Sequence, residues 1–161
     1  MVTAARLVWH VMSASITFAS AVDCTDAYQV LIAQMDDMQA GSTKVAFQLA
    51  SPGNRASTAS PGGYNEDKFS RMVRNPTYAP LLSGFGYEVG AHGKQGSEQY
   101  VAQVRVFQDA EKSNATVFVF VMSLQPASAV DEKDCLGDFK LKRGHPPEWR
   151  TDSVMPGEQA M

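Results

Sequence analysis

Between Tyr28 and Met38 apolar residues return at spacings of three, four and three (Tyr28, Leu31, Met35, Met38), the one-sided stripe of an amphipathic helix. Thr25 or Asp26 is placed to cap it, and Ala40-Gly41 to stop it. A second, shorter helix is expected from Ser42, carrying Val45, Phe47 and Leu49. Ser51-Pro52 ends it, because the residue before a proline is pushed out of the α region. Gly53 to Tyr64 is rich in Ser, Gly, Ala and Pro and has no periodicity, which predicts a mobile loop. Asn65 then caps a third helix, with Glu66 and Asp67 in its first turn and Phe69, Met72 and Val73 as its apolar face. Asn75-Pro76 stops that helix, and Tyr78-Ala79-Pro80-Leu81-Leu82 is expected as an apolar loop held against the core.

Beyond Ser83 the period falls to two. Phe85, Tyr87 and Val89 alternate with Gly84, Gly86 and Glu88, and the Gly-rich stretch Gly90 to Ser97 is expected to turn the chain into a strand from Tyr100 to Phe107. Asp109 to Asn114 is polar and predicts another turn. Thr116 to Met122 is apolar at every second position and at most of those between, which predicts a central strand covered on both faces. Gln125 to Asp138 predicts a loop, Phe139-Lys140-Leu141 and Trp149 to Met155 two further strands, and Pro156 onward a tail. The elements together predict an α+β fold, N-terminal helices packed on a curved antiparallel sheet of about four strands.

Composition narrows this picture. A chain of 161 residues with a hydrophobic fraction of 44% is the size of one domain, expected here over residues 23–156 with a tail at 157–161. Its formal net charge is -3, with no basic excess for neutralising phosphates, so nucleic acid is not an expected partner. Residues 1–22 contain Arg6 and no acid, and their apolar run ends in Ala19-Ser20-Ala21, a small-x-small triplet. That composition suits a targeting segment, an organelle transit peptide (of a chloroplast or another organelle) before a secretory signal, or else an ordinary first helix. A membrane span is not expected, since the run is shorter than the roughly 20 residues a bilayer requires. Cys24 and Cys135 are far apart without metal-ligand spacing, and either pair in an oxidising compartment or sit as small apolar residues.

Candidate chemistry is sparse. No Ser/His/Asp order, His-x-x-x-His pair or acidic metal cluster falls on one element, so no catalytic residue, metal or cofactor is assigned. Asp36 and Asp37 belong to a solvated helix end, and His92 and His145 to exposed turns. Asn114-Ala115-Thr116 is a glycosylation sequon of consequence only on the secretory route.

Five stretches carry a resemblance: Tyr28 to Met35, Ala46-Phe47-Gln48-Leu49-Ala50-Ser51-Pro52, Phe69-Ser70-Arg71-Met72-Val73, Tyr78-Ala79-Pro80 and Trp149 to Val154. Together they resemble the domain of unknown function 4864, in a plant or algal variant with Asn75-Pro76-Thr77-Tyr78. The order of elements resembles the cystatin-like, or nuclear-transport-factor-2-like, α+β cone. Against that family, residues 136–148 stand as an inserted hairpin or a misassigned coding segment. The resemblance implies a pocket between helices and sheet, and the residues expected to line it are Tyr28, Met35, Phe69, Met72, Tyr78, Tyr87, Tyr100, Phe118, Phe120 and Trp149. The expected function is non-catalytic, the binding of a small apolar ligand or of a second copy through the sheet face. The alternatives are a small lyase, isomerase or dehydratase using a buried Tyr or carboxylate, and an organelle assembly factor.

Overall fold

The computed structural model describes residues 22–58, 65–126 and 147–157. The expected targeting segment as far as residue 21, Cys135, His145, the 136–146 part of the expected insertion and the strand expected at Phe139 to Leu141 lie outside the described residues, whereas Val22 packs half-buried against the core.

The first helix, α1, spans Ala27–Gln39. Asp26 holds an extended backbone and its carboxylate accepts the amides of Tyr28 at 2.8 Å and Gln29 at 3.4 Å, filling donors that have no intrahelical partner. At the other end Gly41 turns left-handed at φ 80°, its N–H donates to Met38 O at 2.8 Å, and the Ser42 N–H donates to Asp37 O at 3.1 Å. This paired return is a Schellman motif, the stop expected of Ala40-Gly41. It consumes Ser42, so α2 begins later than expected and spans Lys44–Leu49. Its first turn is held from outside, where the Asp37 carboxylate accepts the Val45 N–H at 2.9 Å.

Two segments expected as loops are helical, for one reason. Proline ends the element before it, but its fixed φ and absent N–H also suit the first position of a new helix. Helix α3 spans Pro52–Thr58, with the Ser51 hydroxyl accepting the Asn54 N–H at 3.2 Å as a cap. Helix α4, Glu66–Val73, is capped as expected by Asn65, whose side chain accepts the Lys68 N–H at 2.9 Å. The single turn α5, Pro80–Ser83, again starts on a proline and buries Leu81.

Four antiparallel strands follow: β1 (Tyr87–Gln95), β2 (Gln99–Phe107), β3 (Ala115–Gln125) and β4 (Glu148–Pro156), paired in chain order into one open sheet. The molecule is therefore α+β, helices packed with a four-stranded antiparallel sheet, as the sequence predicts. β1 runs through the Gly-rich stretch expected to turn, because a bulge between Val89 and His92 absorbs the broken alternation and His92, Gly93 and Lys94 still pair with β2. The turn is confined to Gly96-Ser97-Glu98, with Gly96 at φ 75°. β4 also outlasts its expected end, since Gly157 N–H donates to Val117 O at 2.8 Å.

The core lies on one face of the sheet. Ala102, Val104 and Val106 of β2 and Phe118, Phe120 and Met122 of β3 are all inaccessible to solvent, against Val30, Leu31 and Met35 of α1. Val117, Val119 and Val121 on the other face are half-buried, so β3 is fully covered on one side rather than on both. At the start of β4 the side chains of Glu148 and Arg150, each 1% exposed, form an ion pair. Arg150 Nη1 also donates to Gln48 O at 3.0 Å, fastening the end of α2. The Ser51 N–H donates to Thr151 O at 2.9 Å, so the α2–α3 junction pairs with the edge of β4. Beyond Thr151 that edge leaves the helices, and a cavity opens beside it.

Candidate functional site

The cavity, of about 270 Å³, lies between α1–α4 on one side and β4 on the other. Met38, Ala46, Phe69, Met72, Leu81 and Val154 give it apolar walls. Its floor is polar and internally satisfied: Gln34 and Thr151, both buried, exchange hydrogen bonds at 2.7 and 3.0 Å. Asn54 Nδ2 donates to Thr151 O at 3.0 Å, and Thr58 Oγ1 donates to Asn54 O at 2.7 Å. These contacts hold α1, α3 and β4 in fixed relation, and they leave the floor groups committed to one another.

Tyr78 and Asp152 also border the cavity. Tyr78 is positioned from below by the Asn75 side chain, which accepts the Thr77 N–H at 2.9 Å and the Tyr78 N–H at 3.3 Å, and from the side by its ring stacking on Phe118 with centroids 6.3 Å apart. Asp152 is the extra residue where β4 bulges between the pairs Met122–Thr151 and Val121–Ser153. Such a bulge re-aims a side chain that a regular strand would place elsewhere. Among the described residues neither the Tyr78 hydroxyl nor the Asp152 carboxylate makes a hydrogen bond or ion pair, with each other or with a third group.

The residues expected to line one pocket separate into three places. Phe69, Met72 and Tyr78 border the cavity. Met35, Phe118, Phe120 and Trp149 are core residues, none more than 2% exposed, and do not border this cavity. Tyr28, Tyr87 and Tyr100 lie elsewhere, between α1 and β1. The Tyr100 hydroxyl and His92 Nδ1 are 2.7 Å apart, the Tyr28 and His92 rings are 5.1 Å apart, and Tyr87 donates to the Asp36 carboxylate at 2.8 Å. His92 is exposed, though on strand β1 rather than in a turn, and Asp36, expected only in a solvated helix end, anchors a tyrosine. Gln34, Asn54, Thr151 and Asp152 border the cavity without having been expected there. Gln34 carried a usable signal, as a polar residue on the apolar stripe of α1, whereas a bulge has no such signature.

Burial, followed by the hydrogen bond to Asp36, holds the Tyr87 phenol well above the usual tyrosine range. Burial, with the charge of Asp26 behind it, raises Tyr100 as well. A phenol whose pKa is raised on folding stabilises the fold fully below its unfolded value of about 10, and that contribution is lost as pH rises above it. The protein should therefore lose stability from about pH 10 upward. Tyr87→Phe should flatten that part of the profile, as measured by urea melts across the alkaline range; an unchanged slope would count against the assignment.

Among the described residues no group of three or more His, Cys, Asp or Glu gathers that could hold a metal, and no helix is long and apolar enough to cross a membrane. Cys24 is buried and disulfide-bonded. The class that fold and site define is an α+β domain with a cavity between its helices and the end strand of its sheet. No family model, curated protein or solved structure matches the chain.

Proposed function

We propose that this chain is a non-catalytic binding domain whose cavity takes a small, largely apolar ligand, in a cone of the kind that the resemblance to the domain of unknown function 4864 implies. The observation that carries this reading is the cavity itself, about 270 Å³ with walls of Met, Phe, Leu, Ala and Val. Its volume lies just below the range of about 300–1,000 Å³ usual for ligand pockets, and its composition matches theirs, apolar with a few placed polar groups. The floor groups Gln34, Thr151, Asn54 and Thr58 already satisfy one another, so an apolar body can rest above them without stranding them.

Indole is a suitable neutral probe. In an NMR titration it should shift the resonances of Met72 and Val154 and leave those of Val104 in place, and Met72→Trp should abolish the response by filling the cavity from the half-buried side of α4. The reading fails if indole perturbs nothing around the cavity, or if Met72→Trp folds and binds it unchanged.

Self-association through the outer sheet face is a second reading, favoured by half-buried Val117, Val119 and Val121 beside Met155, which is 47% exposed. Light scattering on the purified chain decides it. The lyase or isomerase alternative would draw on Tyr78 and Asp152, but the tyrosines with raised pKa values lie between α1 and β1, away from the cavity.

A further inference from the structure

We infer that the cavity selects a small apolar amine in its charged form, over the matching alcohol and against the matching acid, with Asp152 as the residue that makes the choice. This rests on the cavity being a ligand site and adds the charge class of the ligand.

The argument begins with what the lining leaves uncommitted. Gln34, Thr151, Asn54 and Thr58 are tied to one another and Ser57 Oγ donates to Asn54 O at 2.9 Å, so the hydrogen-bonding capacity still open at the cavity lies with Tyr78, Ser153 and Asp152. An ionised carboxylate only accepts hydrogen bonds. Asp152 is also the one formally charged side chain among the described residues that line the cavity. Arg55, the basic residue of α3, does not line the cavity; it is 3% exposed with its guanidinium 5.8 Å from the Phe47 ring centroid. An anion placed in the cavity would thus meet a carboxylate and, among the described lining residues, no cation.

The walls point the same way. The aromatic residues Phe69 and Tyr78 with the methionines Met38 and Met72 offer π faces and polarisable sulfur in the same cavity, a lining that suits an ammonium head joined to an apolar body. Asp152 is half-buried, so its attraction is screened less than at an open surface. The formal charge of the whole chain, -3, adds to the preference for a cation. An alkylamine resembles the Lys side chain, with a pKa of about 10.4, and enters charged at neutral pH.

The test uses three probes of nearly equal size, phenethylamine, phenethyl alcohol and phenylacetate, titrated at neutral pH and low salt into the full chain and into Asp152→Asn. The amine should bind about tenfold tighter than the alcohol, the scale of a charge-assisted hydrogen bond partly open to solvent. Phenylacetate should bind most weakly. Asp152→Asn should remove the difference between amine and alcohol, and Asp152→Glu should restore part of it. If alcohol and amine bind alike, if the acid binds best, or if the preference survives Asp152→Asn, the inference is wrong while the cavity remains a ligand site. If none of the three binds but indole does, the inference fails alone. If indole fails too, the binding reading falls with it.

Discussion

Arg150→Ala is expected to lower the unfolding free energy by about 3–5 kcal/mol, the range for breaking a buried ion pair from one side. Both side chains of the Glu148–Arg150 pair are 1% exposed, so truncation takes the guanidinium from a carboxylate that solvent does not reach. The same substitution takes away the donor to Gln48 O, which ties the end of α2 to β4. Arg150→Lys keeps the charge but not the planar fork that reaches both Glu148 and Gln48, so its loss should be intermediate. Replacing both partners by apolar residues, Glu148→Leu with Arg150→Met, should cost less than the two single changes summed, because each single change includes the loss of the same mutual contact. Urea melts of the four variants give the comparison. An Arg150→Ala protein within about 0.5 kcal/mol of the parent, the range of an ordinary surface substitution, would show that the pair does not anchor β4.

The sequence carried α1 and α4 because each has a period and a cap that work locally, and the strands where their period of two is unbroken. Asp26 and Asn65 cap their helices whatever lies beyond, and Ala40-Gly41 needs only a few residues to turn back. Ser51-Pro52 reads as the end of one helix and Pro80 as part of an apolar loop, yet each proline begins a helix, for Ser51-Pro52 is equally a cap and first residue. The Gly-rich end of β1 was hidden because its pairing partner, not its own pattern, makes it a strand. The site was less legible still. Phe69, Met72 and Tyr78 border the cavity, but so do Thr151 and Asp152, whose placement depends on a bulge created by the register of β3 against β4. Aromatic residues expected in the pocket, such as Phe118 and Phe120, fill the core instead. Apolar character specifies burial but not whether space is left beside the ring.

Phe69→Ala should destabilise the fold by roughly 3–5 kcal/mol, whereas Arg71→Ala, two residues on and exposed, should change it by less than about 0.5 kcal/mol. The Phe69 ring is 5% exposed and meets Phe47 edge-on, with centroids 5.4 Å apart, so it joins α4 to α2. It is also cavity wall. Truncation would therefore open a void continuous with the existing cavity, and the loss grows with the volume that the neighbours cannot refill, by about 24 cal/mol for each Å³. Phe69→Leu retains most of that volume and should lose less. The ring's two roles separate under ligand, because indole at saturating concentration binds only the folded state and should recover stability in the parent and in Phe69→Leu. Phe69→Ala should gain less from indole, since the face against which the probe packs is gone. Coincident urea melts for Phe69→Ala and Arg71→Ala would mean that α4 turns another face to the core, and the cavity would then lack the wall on which both its binding role and its size depend.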